Sequence, residues 1–228
     1  MTCIRLATYN IHGGVGGDGR FDIERIAAVI NELGADLVAL QEVQSRHGGT
    51  DVLEVLERAT GLRAVAGPTL RNSTGAYGNA VLSRGSFVDI QRIDLSVPAR
   101  EPRGALDVMM EFEGARLRVM ATHLGLRPAE RRHQTRLLLM YLGSVPPVPS
   151  VLMGDLNEWF MWGRTLRWLH VAFCTTPAPA TFPSRFPMFA LDRIWVHPRQ
   201  SLRALGVHAS AVARSASDHL PLVALLDL

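Results

Sequence analysis

Short apolar runs in this chain repeatedly stop at a small polar island. Ile4–Ala7 leads into Tyr9-Asn10, Leu37–Leu40 into Gln41-Glu42, Leu117–Met120 into Thr122-His123, and Val151–Met153 into Gly154-Asp155-Leu156-Asn157. Leu191-Asp192 and Ser217-Asp218-His219 complete the series, the last after an alternating stretch that ends at Ala216. Runs of this length and composition predict strands of a buried sheet. Strands that each end in an Asn, Asp, Glu or His build a shared polar site at one sheet edge. The groups delivered are carboxylates, carboxamides and imidazoles, with no cysteine nucleophile. A divalent cation and a phosphate ester need such a set.

The 228 residues suffice for one large domain or two small ones, and islands running from Asn10 to His219 favour a single domain over 1–228. Hydrophobic residues make up 47%, enough for sheets covered on both faces. The net charge of +3 lacks the strongly basic footprint of a dedicated nucleic-acid binder. All 24 basic residues are arginines, which fits GC-rich codon usage better than selection for phosphate-gripping forks. Cys3 and Cys174 give no disulfide framework, and Cys3 reads as a small buried hydrophobe in the first strand. That strand leaves no room for a signal peptide, and no run reaches the ~18 apolar residues of a membrane span. The expectation is a cytoplasmic monomer without an obligate protein partner, able to sit peripherally at a membrane.

Helices and strands alternate at first and then give way to hairpins. Thr2–Tyr9 and Asp36–Leu40 read as strands around a helix over Asp22–Leu33 that Gly34 stops. Asn10–Arg20 is glycine-rich but lacks the Gly-Lys-Ser/Thr ending of a P-loop, so it reads as a flexible loop beside the site. Thr50 reads as the cap of a second helix, Asp51–Ala59. Ala76–Leu82, Phe87–Leu95, Gly104–Phe112 and Arg116–Thr122 read as antiparallel strands, with a hairpin turn at Glu113-Gly114. A helix from Pro128 to Leu142, a strand Val151–Met153 and a short helix Phe160–Leu169 follow. Thr175–Pro187 is a proline-rich loop, and Ala190–Val196, Leu202–Ala213 and Leu220–Leu226 are closing strands. The pattern predicts an α/β fold with two sheets face to face and helices outside.

Asp155 and Asn157 flank Leu156, so in an extended segment they face one way while Leu156 packs behind. Asp155 suits orienting or deprotonating an attacking water, and Asn157 suits holding phosphoryl oxygens. Glu42 ends an apolar strand, as a monodentate Mg²⁺ ligand would, and Asn10 can fix a phosphate oxygen or a water of the metal. His219 has Asp192 and Asp218 as candidate partners, and an Asp–His pair keeps one tautomer and stabilises the imidazolium. His123 is a second imidazole, and a leaving alkoxide needs a proton. Arg103 reads equally as a fork onto phosphate or a surface salt bridge. Asn79 reads equally as a turn residue or as support for Glu42 or the substrate. The run Glu158-Trp159-Phe160-Met161-Trp162, with Trp168 beyond, reads first as aromatics packing a short helix onto the sheet. Its second reading is an apolar rim that stacks a base or meets a lipid headgroup, which Met188 and Phe189 could join.

These islands, in this order, resemble the endonuclease/exonuclease/phosphatase superfamily, which includes deoxyribonucleases, abasic-site endonucleases, neutral sphingomyelinases, inositol polyphosphate phosphatases and deadenylases. The resemblance rests on Asn10, Leu40-Gln41-Glu42-Val43, Thr122-His123-Leu124, Gly154-Asp155-Leu156-Asn157, Leu191-Asp192-Arg193-Ile194 and Ser217-Asp218-His219-Leu220-Pro221, and spans nearly the whole chain. It implies a four-layer α/β sandwich, two mixed and mostly antiparallel sheets flanked by helices. It also implies metal-dependent phosphoester hydrolysis, with Mg²⁺ or Mn²⁺ on Glu42 assisted by Asn10 and Asp218. Asp155, Asn157 and the Asp192–His219 pair would surround the scissile phosphate. His123 matches a histidine of the deoxyribonuclease and sphingomyelinase branches. His12 stands where the abasic-site branch carries a further aspartate, which counts against a repair enzyme. Tyr9–Gly14, Asp18–Arg20 and Thr181–Ser184 are similar to small bacterial members, some with relatives linked to lipid or membrane-anchor metabolism. The expected activity is hydrolysis of a small or lipid-linked phosphodiester, ahead of DNA or RNA cleavage and of a phosphomonoester. A catalytically silent binding domain is the reading from another class.

Overall fold

The computed structural model describes residues 2–46, 51–73 and 75–228. In chain order its strands are Cys3–Asn10 (β1), Leu37–Arg46 (β2), Arg63–Asn72 (β3), Gly75–Ser83 (β4), Ser86–Asp94 (β5) and Gly104–Phe112 (β6). Ala115–His123 (β7), Ser150–Asp155 (β8), Asp192–His197 (β9), Leu202–Val207 (β10) and Leu222–Asp227 (β11) follow. The helices are Ile23–Leu33 (α1), Val52–Thr60 (α2), Pro128–Ser144 (α3), Arg164–Phe173 (α4) and Ala211–Ala216 (α5). A six-stranded sheet has the order β10-β11-β1-β2-β4-β3, and a five-stranded sheet the order β5-β6-β7-β8-β9.

Alternation along the central strands builds the layers. Ile4, Leu6, Leu37, Ala39 and Val81 of one sheet meet Val119, Ala121, Val151, Met153 and Ile194 of the other in a shared core. The intervening Ala7, Tyr9, Val38 and Leu40 turn outward beneath α1, α2 and α5. Met120, Leu152 and Trp195 turn outward beneath α3 and α4. Helices, sheet, sheet and helices make four layers. Strands buried on both faces read as unbroken apolar runs, which is why the central ones stood out in the sequence.

The same topology gathers the polar islands. β1 runs parallel to β2, so Asn10 and Gln41-Glu42 reach one edge together. β11 runs antiparallel to β1, which brings the preceding Asp218 and His219 to that edge. In the other sheet β7 and β8 are parallel and end in register at His123 and Asp155. Antiparallel β9 starts with Asp192 opposite Asp155. Antiparallel β6 starts at Gly104, just after Arg103, and its Ala105 lies opposite Thr122.

Several elements depart from the sequence-based reading. Strand β3 covers a segment to which the pattern assigned nothing. It is an edge strand with Pro68 at a shift of register, a place where a missing N–H is tolerated and alternation is lost. The strand expected to reach Ala213 stops at Val207, and Ser210 caps α5 by accepting the Ala213 N–H at 3.0 Å. Helix α4 begins at Arg164 rather than Phe160, and α3 continues through Gly143 to Ser144. Thr50 lies outside the described residues; Asp51 caps α2 through the Leu53 N–H at 2.9 Å. Cys3 is exposed, because β1 alternates open and buried positions until Leu6. The glycine-rich loop is pinned in place: Gly17 N–H bonds Ser215 O at 3.1 Å, and Val15 bridges to Phe21.

Gly154 in β8 adopts φ 145°, and a Cβ there would stand 1.8 Å from the Thr122 carbonyl oxygen. Gly154→Ala should cost roughly 3 kcal/mol or more in urea unfolding. Gly143→Ala in α3, where a Cβ meets nothing within 4 Å, should instead raise stability by about 0.5–1 kcal/mol. Equal midpoints for the two variants would remove the close approach of β7 and β8 as the reason for glycine at 154.

Candidate active site

Asp155 closes β8 and is almost wholly buried. Its Oδ1 accepts the Asn157 backbone N–H at 2.8 Å, a turn closed by the aspartate's own side chain. That turn holds Asn157 at φ 50°, sends Leu156 into the core beneath α3 and α4, and returns Asn157 to the side of Asp155. Asp155 Oδ2 lies 3.1 Å from Asn10 Nδ2, 3.5 Å from His123 Nε2 and 3.7 Å from His219 Nε2. One carboxylate oxygen therefore faces nitrogens from β1, β7 and the segment before β11.

Each of these nitrogens is aimed by a partner behind it. Asn10 Oδ1 accepts the His12 N–H at 3.0 Å, which turns Nδ2 toward Asp155 and toward Glu42 Oε1 at 2.9 Å. Ser217 Oγ donates to Asn10 O at 2.7 Å and ties the last motif to β1. His219 Nδ1 meets Asp192 Oδ2 at 2.8 Å, and Thr181 Oγ1 donates to the same oxygen at 2.5 Å. The Phe182 ring covers the His219 imidazole at 4.8 Å between centroids. His123 Nδ1 lies 3.1 Å from the Arg103 guanidinium, which also donates to Glu101 at 3.2 Å. Arginine only donates, so Nδ1 accepts, and a neutral His123 carries its proton on Nε2. Asn157 Nδ2 donates to Leu124 O at 2.9 Å and stands 2.9 Å from that Nε2. Two N–H donors side by side suit an oxygen of a bound phosphate.

Glu42 is placed by a bulge. The β2–β4 register shifts between Leu40 and Val43, so Gln41 and Glu42 together oppose Asn79. Gln41 is buried against Thr8 at 3.1 Å, while φ 58° turns Glu42 toward Asn10. Among the described residues, six non-glycines have positive φ, and His12, Glu42 and Asn157 are three of them. Strain concentrated in this way is characteristic of functional sites. Asp218 is half-exposed, with Oδ1 3.7 Å from His12 Nδ1. Asp155, Asp192 and His219 each bring a potential ligand atom within 4.8 Å of the others.

The sequence model of the Endonuclease/Exonuclease/phosphatase family matches residues 7–219, from β1 through the last histidine of the cluster. The chain belongs to that family. The Escherichia coli K12 protein YbhP, itself uncharacterized, is 32% identical over 244 residues, covering 98% of this chain and 96% of YbhP. An endonuclease/exonuclease/phosphatase from Beutenbergia cavernae DSM 12333 matches with a TM-score of 0.81 at 27% identity, over 99% of this chain and 72% of that one. The human Nocturnin catalytic domain, solved with a bound sulfate anion, shares the fold with a TM-score of 0.73 at 20% identity, over 99% of this chain and 94% of that one. Members of the family hydrolyse phosphoesters and generally depend on a metal ion.

Charge separates the two imidazoles of this family member. Burial opposes a charge on His219, but Asp192, Asp155 and Asp218 outweigh it and push its pKa up to about 10. Burial, with Arg103 and His219 nearby, takes His123 down to about 3 against the pull of Asp155. At neutral pH one ring is an imidazolium and the other is neutral. The Glu42 carboxyl is raised by burial and by Asp155 and Asp218, although the Asn10 hydrogen bond favours its charged form.

The sequence-predicted residues Asn10, Glu42, His123, Asp155, Asn157, Asp192, Asp218 and His219 meet at this edge. Arg103 is buried against His123, so its pair with Glu101 is no surface bridge. Asn79 sits buried within β4 rather than in a turn, and donates to Gly104 O at 3.0 Å. Sequence reasoning gave no task to Thr181, Ser217 or Phe182. Thr181 and Phe182 lie in a proline-rich loop without periodicity, and only the fold shows what they touch. The ring nitrogens can be followed by NMR in the metal-free protein. Neither His123 nor His219 should titrate between pH 5 and 8, against the ~6.5 of a free imidazole. Asp192→Asn should bring the His219 titration down into that window. A wild-type His219 that titrates near 6.5 would show that the aspartates do not hold its proton.

Proposed function

We propose that the protein is a divalent-metal-dependent phosphodiesterase, one catalytic domain over 1–228, that hydrolyses a small or lipid-linked phosphodiester by in-line attack of water. The observation that carries this reading is the setting of Asp155, a buried carboxylate oxygen facing Asn10, His123 and His219 at 3.1, 3.5 and 3.7 Å. A general base must reach a water within hydrogen-bonding distance, and it must lie beside the donors that hold the reacting phosphate. Asp155 accepts the proton as the water oxygen bonds phosphorus, and the bond to the leaving oxygen breaks on the opposite side, the alkoxide then taking a proton from solvent. Asn157, His219 and His123 donate to the phosphoryl oxygens, where negative charge gathers. His219 does so as an imidazolium oriented by Asp192 and Thr181. His123 is neutral, so it gives a hydrogen bond rather than the leaving-group proton. Arg103 acts through His123 by fixing its tautomer, and Asn79 braces the Gly104 carbonyl beside Arg103.

Mg²⁺ or Mn²⁺ fits beside Glu42. Glu42 and Asp218 would supply carboxylate oxygens, as a hard cation prefers, and Asn10, whose Nδ2 faces Glu42 at 2.9 Å, would act on a water of the metal. Burial, with Asp155 and Asp218 nearby, raises the Glu42 carboxyl, and a cation would favour its charged form. The Asp155–Asp192–His219 group reads instead as a hydrogen-bonded charge cluster, because Asp192 engages Nδ1 and the ring holds a proton. When bound, the cation supplies positive charge for the phosphoryl and leaving oxygens.

Hydrolysis of bis-p-nitrophenyl phosphate, phospholipid vesicles, sphingomyelin, plasmid DNA and single-stranded RNA tests the reading, with Mg²⁺ or Mn²⁺ and with chelator. Turnover should need the metal, and Asp155→Ala should lower kcat by about a thousandfold or more. Glu42→Gln should shift the metal concentration for half-activity upward. Asp155→Ala with most of its activity intact would overturn the assignment of the base. Preference for DNA or RNA would favour the nuclease reading over the lipid-linked one.

A further inference from the structure

Loops beside Asp155 carry an apolar ridge. Leu126 follows β7, while Trp159, Phe160, Met161 and Trp162 follow the Asp155–Asn157 turn, and Met188 lies between Phe182 and Phe189. All six are exposed, Trp162 to 74% and Leu126 to 63%. The ridge is built in. Trp159 packs edge-on against Phe182 at 5.7 Å and Phe189 at 4.9 Å, and Phe182 in turn lies 4.8 Å from His219. The buried Arg131–Glu158 pair, at 3.1 Å, links two of the loops, since Arg131 also donates to Leu126 O at 2.6 Å. A fixed apolar surface continuous with the site marks a place of interaction.

Surrounding charge identifies the partner. Arg127 adjoins Leu126, and Arg164 and Arg167 follow Trp162 at the start of α4. All three are exposed, and none has an ion-pair partner among the described residues. Leu124–Pro128, Trp159–Cys174 and Phe182–Ala190 contain no Asp or Glu, and Glu158 is buried against Arg131. Apolar side chains flanked by free guanidiniums match a headgroup layer, where aromatics seat among acyl chains and arginines meet phosphates. A nucleic acid would want a basic track through the site. Such a strand would run past the carboxylates of Glu42, Glu101 and Asp218.

We propose that this ridge seats the protein on an anionic phospholipid bilayer, so that the scissile phosphodiester is drawn from the headgroup layer. The second half of that statement rests on the phosphodiesterase reading; the first does not. The intact protein would be sedimented with vesicles of phosphatidylglycerol and phosphatidylcholine in equal parts, and with vesicles of phosphatidylcholine alone. It should pellet with the anionic vesicles and far less with the neutral ones. Phe160→Ser with Trp162→Ser, and Arg127→Glu with Arg164→Glu, should each raise the apparent lipid Kd by roughly tenfold or more. Both variants should keep the wild-type melting curve and the wild-type rate on bis-p-nitrophenyl phosphate. Absence of pelleting, or equal pelleting of the variants, would overturn the proposal. So would binding of a single-stranded oligonucleotide, or self-association in sedimentation velocity, that replaces vesicle binding and is lost in the variants. Vesicle binding without turnover of any phosphodiester would overturn the phosphodiesterase reading alone.

Discussion

The hydrogen bond from Asn10 to Asp155 joins residues 145 apart in sequence and, with them, the two sheets. A carboxylate buried as deeply as Asp155 is unfavourable unless its lone pairs face donors. Its two oxygens have the Asn157 backbone on one side and the Asn10 amide with two imidazoles on the other. Those donors arrive together only if β1, β7, β8 and the residues before β11 end at one level. The parallel pairs β1–β2 and β7–β8 set that level, and the central core locks the sheets in register across it. Register and site are thus a single requirement, and a slip of one residue in β8 would put Leu156 where Asp155 stands.

The charge count at this edge carries a second consequence. Glu42, Asp155, Asp192 and Asp218 gather there, while the cationic groups beside them are the His219 imidazolium and the Arg103 guanidinium. Asp192 and Asp155 hold the first, and Glu101 shares the second. The site is therefore acidic for a family that hydrolyses phosphoesters, because a phosphoester is itself an anion. On the proposed function, a divalent cation held by Glu42 would meet both demands, offsetting the carboxylates and offering positive charge to the phosphate. The opposite shifts of the two imidazoles follow from the same geometry. His219 lies between aspartates, whereas His123 lies against a guanidinium.

Much of this was legible in the chain because strands buried on both faces admit almost no polar side chain, so an Asp, Asn or His at their ends stands out. Asn10, His123, Asp155 and His219 stand out that way, whereas Glu42 lies at a bulge within β2, which runs on to Arg46. Signals failed where burial on both faces ended. Strand β3 is an edge strand carrying Gly67, Pro68 and Thr69, and so shows neither an apolar run nor clean alternation. Ala211–Ala216 is too short for a helical period to emerge beside the alternation of β10, and Ser210 alone marked its start. Thr181 gains its place by contact with Asp192, eleven residues away through a proline-rich loop, and no local pattern encodes such a contact. Arg103 illustrates the converse. Its residue type suggested a phosphate fork or a surface salt bridge, and only the fold shows its contact with His123.

The aromatic run after Asn157 shows how one contact serves both the site and the surface. Read as a sequence, Phe160–Leu169 is a helix that packs the aromatic run onto the sheet, with an exposed apolar rim as the second reading. The chain instead brings Gly163 so close to Glu158 that a Cβ would stand 2.4 Å from the carboxyl carbon, and α4 starts only after that approach. Glu158 is held there by Arg131 from α3. A buried ion pair of this kind adds little net stability compared with well-packed apolar residues. What it fixes is direction. Asn157, one residue before, is turned toward Asp155 and His123, and Trp159, one residue after, is turned onto Phe182 and Phe189 with Phe160 and Trp162 left outside. Phe182 then touches His219, so the ring that supports the ridge also covers the imidazolium. A rigid ridge that shares its supports with the Asp155–His219 edge can present that edge to a surface at a fixed angle, which a flexible loop of the same composition could not do.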